Sequence, residues 1–111
     1  MENMPEINIM DLGRYIEQDH VVLFFSADWC PDCAVIKPIL PTLEAEFSQW
    51  KFWLVDVDSH REIAKALNIF GIPSLVAFEK GQEVGRLVNQ KRKSRQELEE
   101  FLAKLPMSAV E

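Results

Sequence analysis

Cysteine is scarce in this chain: of 111 residues only Cys30 and Cys33 are cysteines, and two residues separate them. A single close pair excludes the multi-bridge framework that staples small secreted domains. The opening residues lack a basic leader followed by an apolar stretch, so no secretory signal is read and the expected address is the cytoplasm. Long hydrophobic runs are missing as well. Val21-Val-Leu-Phe-Phe25 falls far short of the ~20 residues needed to cross a bilayer, which predicts no membrane insertion. Basic residues are in the minority, 12 against 18 acidic, for a formal charge of -6. A surface of that average sign repels a phosphate backbone, so no nucleic-acid partner is expected. Repeats and low-complexity linkers are also absent.

What is present suits one ordinary domain over residues 1–111, since 48% hydrophobic residues are enough for a single core. Apolar periodicity and chain breakers alternate strand and helix, the pattern of an α/β protein. Leu12, Tyr15 and Ile16 share a helical face in residues 10–18. Residues 21–26 form a continuous apolar run, as a central strand covered on both faces requires. From Cys33 the positions Ile36, Leu40, Leu43 and Phe47 recur at helical spacing, with Pro38 and Pro41 inside, which predicts a kinked helix. Residues 52–57 read as a second buried strand. A short helix through Ile63, Ala64 and Leu67 follows, then a strand over 74–78, a turn over 79–82, and an antiparallel return over 83–88. Ser94 and Glu97 make a capping box, so the last helix is expected over 94–105, with Pro106 just beyond. Trp50, Phe52 and Trp53 are read as core and edge packing.

The segment Trp29-Cys-Pro-Asp-Cys33 stands where a buried strand stops and a helix begins. The first sulfur then lies near unpaired N–H groups and the positive end of the helix, which favours a thiolate. Cys30 is therefore the expected nucleophile, and Cys33, one turn inside the helix, the resolving thiol. Pro31 in the first turn costs no helix hydrogen bond. Two alternatives stay open on the residues alone. A structural zinc needs a tetrahedral ligand set, and only the distant His20 and His60 supplement the cysteines, so no metal is expected. An inert, packed pair is the other.

Ser26-Ala-Asp-Trp-Cys-Pro-Asp-Cys33, followed by Gly71-Ile-Pro-Ser74, resembles the thioredoxin family over nearly the whole chain, specifically members with a WCPDC centre. The resemblance implies the thioredoxin fold, a central mixed sheet of four to five strands flanked by helices on both faces. It implies disulfide reduction by dithiol–disulfide exchange, with protein or small-molecule disulfides as substrates, no bound cofactor, and a thioredoxin reductase using NADPH as electron donor. Pro73 would be the family's cis-proline beside the active-site disulfide, and the backbone at Ile72 would pair with an extended substrate. On the residues alone the Ile72–Pro73 bond is open to either isomer. Trp29 and Pro31 join the expected contact surface, Pro38 matches a helix-kinking proline, and Gly81 matches a hairpin glycine.

Departures from the family pattern are informative. Pro31-Asp32 replaces the usual Gly-Pro between the cysteines, placing a carboxylate beside both sulfurs, where it opposes thiolate formation. Asp28 adds to the acidic side and reads as a solvated acid. Phe24 stands where the family has a buried aspartate beneath the second cysteine, and Leu54 where it has a buried lysine. With that route for deprotonating the resolving thiol missing, Asp32 is the remaining candidate general base. Asn89 replaces a glycine in a loop that is longer here. The basic run Lys91-Arg-Lys-Ser-Arg95 follows, read first as a solvated loop and second as a steering patch for acidic partners. The protein is expected to act as a monomer. The rival reading is a thioredoxin-fold binding or adaptor module, holding a partner around Trp29, Ile72 and Pro73 without turnover.

Overall fold

The computed structural model describes residues 1–106; residues 107–111 of the expected 1–111 domain lie outside the described residues. Five strands form one mixed sheet in the order β1 (Glu2–Asn3), β3 (Lys51–Asp56), β2 (Val21–Ser26), β4 (Ser74–Glu79), β5 (Gln82–Leu87). β2 runs parallel to β3 and antiparallel to β4, and β5 is antiparallel to β4. All six residues of β2 are buried, as its unbroken apolar run requires. Because side chains alternate across a strand, Val22 and Phe24 enter one half of the core and Val21, Leu23 and Phe25 the other.

Each half is roofed by helices. On the Phe24 face lie α2 (Pro31–Ile36), α3 (Leu40–Glu46) and α5 (Arg95–Ala103), through Ile36, Leu40, Leu43, Leu98 and Leu102. On the Phe25 face lie α1 (Leu12–Ile16) and α4 (Arg61–Ala66), through Leu12 and Ile63. The expected fold, a sheet of four to five strands with helices on both faces, is thus the one observed. Trp50, Phe52 and Trp53 are buried packing residues, and Trp53 meets Tyr15 edge-on at 5.2 Å between ring centroids.

Local differences from the sequence expectation have physical reasons. The kinked helix starts at Pro31 rather than Cys33, because a proline at the first helical position gives up no hydrogen bond. Its kink is a 3-10 turn, Lys37–Ile39, built around Pro38, which lacks the N–H that would continue the α ladder. β3 and β5 each begin one residue earlier than expected, and α5 is shorter at both ends. The edge strand β1 was not foreseen: two polar residues carry no strand pattern, and only the edge of β3 recruits them. The hairpin between β4 and β5 turns on Lys80 and Gly81, both with positive φ (52° and 84°), the backbone of a two-residue primed turn.

Phe24 and Leu54 lie side by side on paired strands, and Phe24 is fully buried. No charge pair occupies these positions; the space is apolar core. Phe24→Ala should therefore lower unfolding free energy by about 3–5 kcal/mol in a denaturant titration.

Candidate active site

Where β2 ends at Ser26, Ala27 closes a short turn through the 3.2 Å hydrogen bond that the Cys30 N–H donates to its carbonyl, and Cys30 caps α2. Cys30 has extended backbone (φ -89°, ψ 109°), and its sulfur accepts the Cys33 backbone N–H at 3.2 Å. An orphan donor of the helix start thus points at this sulfur, an arrangement that stabilises negative charge on it. Cys33, one turn on, is fully buried, whereas Cys30 keeps 5% of its surface. The two are joined as a disulfide, with Cα atoms 5.2 Å apart. Spacing, cap and strand end together bring the sulfurs within bonding reach.

The surroundings come from three loops. Ile72 and Val57 pack against the Ala27, Cys30 and Cys33 cluster. The Ile72–Pro73 bond is cis, as the family resemblance implied, and Pro73 is buried at the start of β4. Trp29 is 65% exposed, yet its indole N–H donates to Asp58 Oδ2 at 2.8 Å. The Asp58 N–H in turn donates to Asp56 Oδ1 at 2.8 Å, which fixes the loop after β3. A cavity of about 190 Å³ opens between Trp29, Val57, Phe70, Gly71 and Ile72, with Phe70 exposed at its rim. Pro31 is exposed beside the disulfide. The site therefore unites Trp29, Cys30, Pro31, Asp32, Cys33 and Ile72, all expected from the sequence, with Asp58 and Phe70, which were not. Nothing in the local pattern marks either: Asp58 declares itself only through its tertiary bond to the indole.

The basic run keeps its first reading at the exposed Lys91, Arg92 and Arg95 and departs from it at Lys93. Arg92 Nε donates to Asp32 Oδ1 at 3.2 Å, linking residues sixty positions apart. Lys93 is not solvated but 1% exposed. Its ammonium donates to the Asn89 carbonyl (3.1 Å), Asn89 Oδ1 (2.7 Å) and the Lys91 carbonyl (2.7 Å), so all its protons are used. Burial pushes its pKa down from the ordinary lysine value, while Glu97 and Asp32 pull it back up. Asp28 is open to solvent, 3.8 Å from Lys37, as a solvated acid should be. His20 pairs with Glu79, and His60 sits between the carbonyls of Asp56 and Pro5. Among the described residues no group of three or more His, Cys, Asp or Glu is placed to hold a metal ion.

Comparison with known proteins agrees with this geometry. The family model for thioredoxin matches residues 2–104. The chain belongs to the thioredoxin family. It is 33% identical over 87 residues to a thioredoxin of Chlamydia caviae, covering 78% of this chain and 85% of that protein. To thioredoxin H2 of Arabidopsis thaliana it is 33% identical over 85 residues, 77% of this chain; it spans only 62% of that longer relative. The fold superposes on oxidised mitochondrial thioredoxin 3 of Saccharomyces cerevisiae with a TM-score of 0.80 at 25% identity, covering 95% of each chain. With the Cys30–Cys33 disulfide in the family's reactive position, the protein is a thiol–disulfide oxidoreductase, a disulfide reductase of the thioredoxin kind. Its partners are, in general, disulfide substrates and a reductase. Among the described residues no helix is long and apolar enough to cross a membrane.

Lys93→Met should lower stability at pH 7 by about 1–3 kcal/mol, because the buried loop's acceptors lose their donor. A lysine whose folded pKa is depressed binds its proton less tightly folded than unfolded, so stability rises as pH climbs through the folded pKa toward 10.5. Denaturant titrations across that alkaline window should show the rise in the parent and a flatter curve in the variant.

Proposed function

We propose that the protein works in the cytoplasm as a monomeric, single-domain reductase of a restricted set of protein or small-molecule disulfides, recycled by a thioredoxin reductase and using no bound cofactor. The Cys30 thiolate attacks one sulfur of the substrate disulfide; that bond breaks, a mixed disulfide forms, and the first substrate sulfur leaves and takes up a proton. Asp32 accepts the proton of the Cys33 thiol, whose thiolate attacks the Cys30 sulfur and displaces the second substrate sulfur, which is protonated in turn. Two electrons pass from the dithiol to the substrate, leaving the Cys30–Cys33 disulfide. Trp29, Pro31 and Ile72 form the surface on which the substrate lies, with the buried cis-Pro73 fixing the backbone behind Ile72.

The observation that carries this order of events is the difference between the two sulfurs: Cys30 caps the helix and accepts an N–H, whereas Cys33 is fully enclosed. Among the described residues no Asp or Glu is buried, which supports Asp32 as the base. Exposed Phe70, at the rim of the cavity beside Ile72, supports a narrow substrate range, since a partner must fit around its ring.

Cys33→Ser should accumulate disulfide-linked substrate on non-reducing gels, while Cys30→Ser accumulates none; capture by neither variant would return the adaptor reading to favour. Asp32→Asn should slow resolution of a preformed mixed disulfide by about tenfold or more at neutral pH, as loss of a general base does. An unchanged rate in stopped-flow would remove Asp32 from that role.

A further inference from the structure

The 89–93 loop is built far more firmly than an exposed connection needs. Gly71 touches it so closely that an added Cβ would lie 2.3 Å from the Asn89 carbonyl oxygen, so the loop rests directly on the backbone preceding Pro73. Gln90 Nε2 donates to the Phe70 carbonyl at 3.2 Å, and the Lys91 N–H donates to Asn89 Oδ1 at 2.9 Å. Inside, the buried Lys93 ammonium ties three acceptors together. Arg92, held between these anchors, is the residue whose guanidinium reaches Asp32.

We propose that Arg92 is a positioning residue for thiol exchange: held over the CxxC turn by the Lys93-anchored loop, it offsets the Asp32 charge, so that Asp32 does not suppress the Cys30 thiolate. The inference rests on the reading of Cys30 as nucleophile and resolves a conflict within it. An acid between the two cysteines suits the resolving thiol but opposes ionisation of the attacking one. A guanidinium paired with that acid offsets part of the opposition without removing the acid. Exposed ion pairs add little to stability, so the pair's consequence is expected in the chemistry of the sulfur rather than in folding.

The other charges near Cys30 do not supply this compensation. Lys37 faces Asp28 at 3.8 Å, and Asp58 is engaged by the Trp29 indole. Lys93 is spent on loop carbonyls although its charge is felt by Asp32. The segment leading into β4 brings the uncharged Ile72 against the cysteines.

The test is the pH profile of Cys30 alkylation by iodoacetamide in the fully reduced protein, in the parent, Arg92→Gln, Lys91→Gln, Asp32→Asn and the Asp32→Asn/Arg92→Gln pair. In Arg92→Gln the midpoint should rise by about half a unit to one unit, which is roughly three- to tenfold less thiolate below it. Lys91→Gln, which removes the same charge from the same loop, should move it by less than a third as much. In the Asp32→Asn background, replacing Arg92 should change little, because the carboxylate that holds the guanidinium is gone. Lys93→Met should follow Arg92→Gln if it folds; if it does not, the Arg92 series decides alone. An unmoved midpoint in Arg92→Gln, an equal shift in Lys91→Gln, or an undiminished shift in the Asp32→Asn background overturns the proposal. Alkylation reads Cys30 without turnover, so these outcomes are separate from any failure of disulfide reduction in the parent.

Discussion

Strand β2 is covered on both faces, and its alignment between β3 and β4 determines where the reacting sulfurs lie. Six buried residues leave it no freedom to slip, because a shift of one residue would exchange Phe24 and Phe25 between the two halves of the core. The strand therefore delivers the chain to the same end of the sheet at which β4 begins, with Phe25 opposite Ser74. Cys30, Ile72 and Pro73 meet there as a consequence. Chemistry at the C-terminal edge of the sheet is thus paid for by apolar packing below it, and the polar groups of the site rest on a dry platform.

Charge around that platform is partly partnered and partly left to solvent. Asp32 faces Arg92, Asp28 lies near Lys37, and Asp58 takes the Trp29 indole. The paired positions Phe24 and Leu54 in β2 and β3 carry none. Electrostatic control has moved from the core to the rim, where a loop carries it. A rim device is more easily retuned than a buried pair, because its parts are exposed and desolvation costs there are small. The one expensive element is Lys93, whose burial is made tolerable by acceptors for each of its protons.

Much of this was legible in the sequence because it was written in local patterns. The apolar run of β2, the prolines at 31 and 38, the Lys80-Gly81 turn and the Ser94 cap each act within a few residues, and each appears where periodicity and turn chemistry place it. The two sulfurs were legible for the same reason. What escaped depends on residues far apart in the chain. Asp58 looks like any loop acid until Trp29 is folded onto it, and Lys93 sits in a run of basic residues whose neighbours are solvated. A buried lysine cannot be told from an exposed one by composition; only the carbonyls that the 89–93 loop turns inward distinguish it. Strand β1 escaped because its pairing is supplied wholly by β3.

The central claim, that this strand-to-helix junction holds a reducing dithiol, is tested most directly by the reduction potential of the Cys30–Cys33 pair. Equilibration in thiol redox buffers, with the dithiol fraction read after acid quench and alkylation, gives it without a substrate. A potential near that typical of thioredoxin, about -270 mV, is the result predicted. A value close to the roughly -120 mV of a strong disulfide donor, or a pair that does not form its disulfide across the buffer range, would contradict the account.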